Sequence, residues 1–140
     1  MVKNIDDGKI NGVLLVDLSK AFDTVNHEIL LWKLKSIGCS NVSLKWFRSY
    51  LADRKQKVAF KSYMSESLDL EMGVPQGSIL GPLLFSIFIN DLPNVMNEVQ
   101  VDMYADDTTI YTAATDINII SARMNEAVIK LNSWLHKNKL

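Results

Sequence analysis

The order of hydrophobic and polar positions predicts β-strands near the beginning and toward the end of the chain. Residues 13–16 form an apolar run with β-branched side chains at both ends, which is typical of a central strand buried on both faces. Residues 99–103 and 108–111 are rich in β-branched and aromatic side chains, which favour strands. Because only residues 104–107 separate these two segments, they predict a hairpin.

Apolar residues at helical spacing predict four helices. The first begins at the N-cap Asn26 and stops at Gly38, and the second covers about residues 43–51. The third is apolar nearly all round, which predicts full burial, and it begins within a few residues of Pro82. The last begins at the N-cap Asp116, and its inner face carries Ile117, Ile120, Met124, Ala127, Leu131, Trp134 and Leu135.

Two further strands and a rigid loop complete the pattern. Residues 54–60 alternate between polar and apolar positions, and residues 67–72 are the candidate partner strand. In the loop 73–78, two glycines around a proline allow the close approach of a ligand that Gln76 could hydrogen-bond. A buried glutamine satisfied by the main chain is the alternative. The sequence therefore predicts an α+β fold, with the helices packed on one face of an antiparallel sheet.

The composition indicates one globular domain and no membrane partner. The 140 residues are 48% hydrophobic and 22% charged, which are ordinary values for a globular protein. The single cysteine, Cys39, excludes an internal disulfide and fits a reducing compartment. The sequence shows no signal peptide and no apolar run long enough to span a bilayer. We therefore expect an intracellular protein, nuclear or cytoplasmic.

The net charge of −1 conceals a strong segregation of charge. Residues 31–61 contain only Asp53 as an acid, whereas their basic residues are Lys33, Lys35, Lys45, Arg48, Arg54, Lys55, Lys57 and Lys61. A basic segment in a chain with an acidic site favours a polyanionic partner, although lysines on helix faces are more often only solvated. Trp46, Phe47 and Tyr50 interleave with two of these cations, which suits stacking on bases and also suits packing of the helix.

Three carboxylates are the strongest candidates for chemistry. Asp106 and Asp107 stand side by side at the hairpin tip, and Asp17 follows the apolar strand. Adjacent carboxylates repel each other, and an acid at the end of a buried strand is costly, so each favours a nearby divalent metal ion. An acid pair in a turn also has an ordinary explanation, because aspartate suits turns. If the strand lies beside the hairpin, the three acids form the ligand set for two-metal phosphoryl or nucleotidyl transfer.

Three segments, in this order and spacing, resemble the first three palm motifs of reverse transcriptases: VLLVDLSKAFD (13–23), GVPQGS (73–78) leading into PLLF (82–85), and YADD (104–107). Within that family the sequence resembles the non-LTR retrotransposon type, similar to the jockey-like elements, also in WFRSYL (46–51) and RKQKV (54–58). The resemblance covers the chain from about residue 13 to residue 140. Three motifs in register are far more specific than any one of them.

The resemblance implies a fold and a function. The fold would be a polymerase palm with part of the fingers, so that residues 1–140 form a partial reverse transcriptase domain, with the upstream fingers, thumb and endonuclease outside this sequence. The function would be RNA-directed DNA polymerase activity, the transfer of deoxynucleotides to a primer 3′-hydroxyl. The implied partners are an RNA template, a DNA primer, deoxynucleoside triphosphates and the remaining parts of the same polyprotein, without which we expect the chain to be inactive.

Carried over by position, the resemblance implies that the acids hold two Mg²⁺ ions, with Mn²⁺ as an alternative. Asp17 and Asp106 would be the direct metal ligands. The Leu18 carbonyl would be a further ligand, and Asp107 a third, less direct acid. One ion would activate the primer 3′-hydroxyl, and the other would bind the triphosphate and the leaving pyrophosphate.

Five further positions resemble nucleotide and primer–template contacts of the family. Phe22 resembles the residue that packs under the sugar and excludes a 2′-hydroxyl, with a core phenylalanine as the alternative. Gln76 and Gly77 resemble residues that line the nucleotide and template site. Tyr104 and Ala105 belong to the primer–template contacts, and Ala105 resembles the small residue beside the primer terminus.

Two other interpretations remain open. A truncated relic would retain the acids by descent, catalyse nothing and at most bind nucleic acid. Another palm-type polymerase would copy RNA into RNA, but Ala105 and the bulky Phe22 favour a DNA product. We assign no catalytic role to Asp23 or His27. Asp23 is expected to brace the turn, and His27 to cap or pack near the start of the helix at Asn26.

Overall fold

The computed structural model describes residues 2–140, apart from the side chain of Val2. In chain order the elements are α1 (Val2–Asp6), β1 (Ile10–Asp17), α2 (His27–Ser36), α3 (Asn41–Leu51), β2 (Arg54–Gln56), β3 (Ala59–Phe60), β4 (Tyr63–Met64), β5 (Leu68–Leu70), α4 (Leu80–Ile89), β6 (Gln100–Tyr104), β7 (Asp107–Ala114) and α5 (Ile117–Asn138). A short 3₁₀ helix covers Leu92–Val95. The fold is mixed α and β, as predicted. Residues up to Ala21, together with Ile89–Leu140, form one compact unit, and Phe22–Phe88 form a second.

The first unit contains a three-stranded antiparallel sheet with the strand order β1-β7-β6. β1 pairs with β7 along its whole length, from Ile10 opposite Ala114 to Asp17 opposite Asp107. β6 pairs with the first half of β7 across a two-residue turn. The predicted hairpin is therefore confirmed, and the strand that ends at Asp17 lies beside it.

The prediction that β1 is a central strand buried on both faces is wrong. β1 has β7 as its neighbour in the sheet and β7 is the central strand, so β1 lies at an edge. Val13 and Leu15 are 45% and 76% exposed, because alternate side chains of a strand point to opposite faces. An apolar run does not by itself reveal how many neighbours a strand has.

α5 packs against β1 and β7. Its predicted inner face is confirmed from Ile120 onward, and the placement of Ile117 on that face is wrong. Its N-cap is Asp116, whose carboxylate accepts a hydrogen bond from the backbone N–H of Asn118 at 2.8 Å. Gly12 of β1 permits the close approach of the helix, because a Cβ at this position would overlap Cγ2 of Ile120. Ile117 is 58% exposed, and the buried residues of the helix include Ile120, Ala127, Leu131 and Trp134. Among residues 2–140, no helix is both long and apolar enough to cross a membrane.

The second unit combines three helices with two small antiparallel strand pairs, β2 with β5 and β3 with β4. The predicted N-cap Asn26 is confirmed, because its side chain accepts a hydrogen bond from the N–H of Ile29 at 3.1 Å. The prediction that α4 is fully buried is wrong. Leu83 is 54% exposed, so one face of the helix remains accessible. The buried apolar residues of this unit include Val25, Leu30, Leu34, Leu51, Leu84, Phe85 and Phe88.

Candidate active site

The turn between β6 and β7 consists of Ala105 and Asp106, and Tyr104 pairs with Asp107 across it. Ala105 has a positive φ of 53°. Two-residue hairpin turns need such a conformation, which glycine, asparagine or aspartate normally supplies. For an alanine it costs about 1–2 kcal/mol. The chain therefore places a strained residue immediately before its acid pair.

Asp17 and Asp107 are direct cross-strand partners in the β1–β7 register. Side chains of such partners lie on the same face of a sheet, and their Cβ atoms are about 4.5–5.5 Å apart. Both side chains are exposed, whereas Asp106 in the adjacent turn is half-buried. The backbone therefore brings the three predicted acids to one corner of the sheet, where Asp17 and Asp107 form a pair of like charges that weakens the strand pairing.

These residues offer a donor set that suits a hard divalent cation. Carboxylate and carbonyl oxygens are the preferred ligands of Mg²⁺. The Leu18 carbonyl accepts a hydrogen bond from the Ala21 N–H at 3.0 Å, which occupies one of its two lone pairs. Within residues 2–140, no three side chains of His, Cys, Asp or Glu are gathered closely enough to hold a metal ion. The oxygen donors and the pairing of Asp17 with Asp107 suit a divalent cation, whereas the three side chains are not gathered around one point, so the metal-ligand roles stay predictions.

The electrostatics of the hairpin are dominated by carboxylates. Tyr111 on β7 is half-buried. Burial, and next the Asp102 carboxylate, raise the pKa of the Tyr111 hydroxyl above its usual 10.0. Tyr111 is therefore neutral at pH 7 and adds no further anion to this hairpin.

Phe22 is a half-buried residue of the second unit. Its ring lies 4.7 Å from the ring of Phe85, measured between centroids, at a tilt of 34°. Its carbonyl accepts a hydrogen bond from the N–H of Val74 at 2.8 Å. Packing against Phe85 fixes the ring, so the position combines a core contact with partial exposure.

The loop 73–78 is fastened to the segment that contains Phe22 and Asp23. The Gly73 N–H donates to the Val25 carbonyl at 2.8 Å, and Gln76 Nε2 donates to Asp23 Oδ1 at 2.9 Å. Gln76 is exposed, so the alternative of a buried glutamine satisfied by the main chain is wrong. Gly77 has a φ of 77° and open space around it. Asp23 thus braces the loop that carries both predicted nucleotide contacts.

The Gly73 carbonyl is a second anchor of this loop, and the residues that hold it were only partly predicted. His27 Nε2 lies 2.8 Å from this oxygen, so the histidine joins the start of α2 to the loop. Arg54 Nη1 also donates to it at 2.7 Å. No local sequence signal could have predicted that contact, because β2 and the loop are far apart in the chain.

The predicted site residues therefore fall into two groups. The first unit holds Asp17, Leu18, Tyr104, Ala105, Asp106 and Asp107. The second unit holds Phe22, Gln76 and Gly77. Each group is assembled within its own unit by strand pairing or by loop hydrogen bonds.

Five of the eight basic residues in segment 31–61 have intramolecular partners. Lys33 is 6% exposed, donates to the Phe88 carbonyl at 2.5 Å, and lies over the Phe88 ring. Arg48 forms a two-pronged ion pair with Glu28, at 2.7 and 3.3 Å. Lys55 pairs with Asp69 at 3.2 Å, and Arg54 binds the loop. Lys61 lies over the Phe60 ring, 5.5 Å from its centroid. The exposed lysines of the segment are Lys35, Lys45, Lys55, Lys57 and Lys61.

The aromatic side chains of α3 stack mainly on one another. Trp46 and Tyr50 are nearly parallel, with centroids 5.3 Å apart, and Phe47 meets Trp46 edge-on at 5.2 Å. Trp46 nevertheless remains 53% exposed. All three rings belong to α3, so these contacts lie within the helix itself.

The chain belongs to the reverse transcriptase family: the family model described as reverse transcriptase (RNA-dependent DNA polymerase) matches residues 3–140. The predicted family is therefore confirmed, and the sheet with its carboxylate corner is the palm of such a protein.

Similar proteins place the chain among non-LTR retrotransposon sequences. It is 35% identical over 133 residues to the RNA-directed DNA polymerase from mobile element jockey of Drosophila funebris, covering 90% of this chain and 14% of that protein. The jockey polymerase of Drosophila melanogaster is 33% identical over 126 residues, covering 85% and 14%. The probable RNA-directed DNA polymerase from transposon BS of Drosophila melanogaster is 30% identical over 141 residues, covering 96% and 16%. The chain thus spans about one-sixth or less of these relatives.

Proposed function

We propose that the chain forms the palm and part of the fingers of an RNA-directed DNA polymerase encoded by a non-LTR retrotransposon. The reaction is the transfer of deoxynucleotides to a primer 3′-hydroxyl, directed by an RNA template. The observation that carries the proposal is the register of β1 and β7, which sets Asp17 opposite Asp107, the residue that follows Asp106. Membership of the reverse transcriptase family supports the same function.

Asp17, Asp106 and Asp107 would hold two Mg²⁺ ions, with Mn²⁺ as an alternative. When bound, the ions supply activation of the primer 3′-hydroxyl and charge neutralisation at the triphosphate. The contribution of the protein is to hold carboxylates on paired strands, so that Asp17 and Asp107 repel each other in the folded chain before a cation binds. The Leu18 carbonyl, held by the Ala21 N–H, would be a further oxygen ligand.

The residues of the second unit would position the incoming nucleotide. Phe22 is supported by Phe85, so a ribose 2′-hydroxyl would meet a ring that cannot easily move away. Gln76 and Gly77 lie on a loop that is hydrogen-bonded to Asp23 and Val25, which makes it a firm wall for a nucleotide and template. Exposed Tyr104 and strained Ala105 would contact the primer–template.

Primer extension tests this proposal. The 140-residue chain, and the same chain rejoined to its flanking genomic sequence, are given a DNA primer on an RNA template with Mg²⁺ or Mn²⁺. We expect extension by the longer protein and its loss on Asp106→Ala. The matched control is Asp102→Ala, which removes an exposed acid from the same hairpin outside the proposed ligand set.

The outcomes separate the alternatives. Equal extension by the Asp106→Ala and Asp102→Ala proteins would contradict the assignment of the acids. Extension with ribonucleotides in preference to deoxynucleotides would indicate an RNA product. Absence of extension by both folded proteins would support the relic that at most binds nucleic acid.

A further inference from the structure

α2 and α3 of the second unit border a groove of about 500 Å³. Both helices contribute residues with the spacing i, i+3, i+4 and i+7, so one face of each helix lines it. Leu31, which is 6% exposed, and half-buried Leu44 are its apolar members. A volume of this size is typical of small-ligand sites in proteins.

The groove is electropositive. Lys35, Lys45 and Arg48 line it, and Glu28 is its single acid. The Arg48 guanidinium holds both oxygens of Glu28, at 2.7 and 3.3 Å, so this acid is neutralised and the two helices are joined. Lys35 and Lys45 are exposed. The remaining charge of the groove is therefore that of two lysines.

Trp32 gives the groove an accessible aromatic surface. It is one of the groove-lining residues and is 65% exposed. Trp46 on α3 differs from it, because Trp46 stacks on Tyr50 and does not line the groove. An exposed indole next to unpaired lysines is the combination on which single-stranded nucleic acids stack and neutralise their phosphates.

We infer that the groove between α2 and α3 binds an unpaired stretch of RNA, with a base on Trp32 and phosphodiester groups at Lys35 and Lys45. The inference rests on the proposed function, since an RNA template is the polyanion that function requires. Asn41, which also lines the groove, has amide groups that can hydrogen-bond a base edge. The groove would thus bind the template through residues that are far from the acid pair in the sequence.

Binding of a fluorescein-labelled, ten-nucleotide oligouridine to the 140-residue chain tests the aromatic contact. We expect Trp32→Ala to weaken binding about tenfold, the usual effect of removing one stacking platform. The control Trp46→Ala, outside the groove, should bind as the parent chain does. Circular dichroism verifies that both variants fold. Equal binding by the Trp32→Ala variant and the parent, or no binding by the folded parent, would overturn the inference.

Charge reversal tests the phosphate contacts. Lys35→Glu and Lys45→Glu should weaken binding, and each should make the negative slope of log Kobs against log salt shallower by about 0.7. Lys57→Glu changes the net charge equally but lies outside the groove. Equal losses in all three variants would show that binding follows net charge alone, which would overturn the inference. If a decaglutamate peptide displaced the labelled oligouridine as well as unlabelled oligouridine does, the groove would be assigned to an acidic protein segment, and the inference would be overturned.

This experiment and primer extension can fail independently. Groove-dependent oligouridine binding without extension by the rejoined protein would support the groove and contradict the polymerase proposal. Extension by a protein whose Trp32→Ala variant binds oligouridine normally would support the polymerase and overturn the groove assignment.

Discussion

Thr108 and Thr112 lie on the same strand and are both nearly inaccessible, at 2% and 7% exposure. Their hydroxyl groups differ in hydrogen bonding. Thr108 Oγ1 is buried without a hydrogen-bond partner in the described part of the chain. Thr112 Oγ1 donates to the Glu98 carbonyl at 3.0 Å. A buried polar group without a partner costs about 1–3 kcal/mol, whereas a satisfied one contributes about 1 kcal/mol.

We therefore expect Thr108→Val to raise the free energy of unfolding by about 1 kcal/mol, because it removes an unsatisfied group at nearly constant volume. Thr112→Val, the matched change, should lower it by about 1 kcal/mol. Denaturant unfolding of the three proteins measures both. A loss of stability in Thr108→Val equal to that in Thr112→Val would show that the Thr108 hydroxyl is satisfied in solution.

The facing carboxylates of Asp17 and Asp107 give a second prediction for single residues. Like charges directly opposite on a sheet are destabilising by about 0.2–1 kcal/mol. Without divalent ions, Asp17→Asn should raise the free energy of unfolding by that amount, and the gain should disappear when Asp107→Asn is already present. An equal gain in both backgrounds would mean that the two carboxylates do not interact.

At the scale of elements, the sequence predicts the features that depend on neighbouring residues, but not the position of a strand within its sheet. The N-caps Asn26 and Asp116 and the hairpin could be predicted, because a cap or a turn depends on residues that are neighbours in the chain. The edge position of β1 could not, since an apolar strand has the same composition at an edge or in the centre. The burial of Lys33 against Phe88 was also not predictable, because it depends on a contact between distant segments.

The candidate site shows the same division. The sequence marks Asp17, Asp106 and Asp107 as candidates, and the pairing of β1 with β7 makes Asp17 and Asp107 cross-strand neighbours. The sequence does not indicate the contact of Arg54 with the Gly73 carbonyl, since an arginine in a basic segment predicts a phosphate contact equally well. The sequence therefore predicts the candidate acids from local patterns, whereas the residues that hold the neighbouring loop become visible only in the structure.

The loop 73–78 gives a prediction at this scale. Gly73 and Gly77 both have positive φ, at 86° and 77°, but a Cβ at Gly73 would lie 2.8 Å from the Asp23 carbonyl oxygen, whereas Gly77 has open space. Gly77→Ala should therefore cost about 1–2 kcal/mol of stability from backbone strain alone. Gly73→Ala should cost clearly more, because the loop must also move away from Asp23. Equal losses in urea unfolding would mean that the loop is not held against Asp23 in solution.

At the scale of the whole molecule, the proposed roles are divided between two compact units. The acids belong to the unit that contains the sheet, and Phe22, Gln76 and Gly77 belong to the other. The motif from residue 13 to residue 23 spans both, since the division falls between Ala21 and Phe22. The two groups can consequently be tested separately, with metal-dependent chemistry reporting on the acids and sugar selectivity reporting on Phe22.

Phe22→Val should relax discrimination against ribonucleotides in the rejoined protein, because the smaller side chain leaves room for a 2′-hydroxyl. We expect the ratio of kcat/KM for deoxynucleotides to that for ribonucleotides to fall about tenfold, equivalent to about 1.4 kcal/mol of lost steric discrimination. Phe22→Tyr retains the ring and its contact with Phe85, so it should keep the parental ratio. Because Phe22→Val also loses that contact, its folding must be verified by circular dichroism. An unchanged ratio in folded Phe22→Val protein would identify Phe22 as a core residue whose only task is to pack against Phe85.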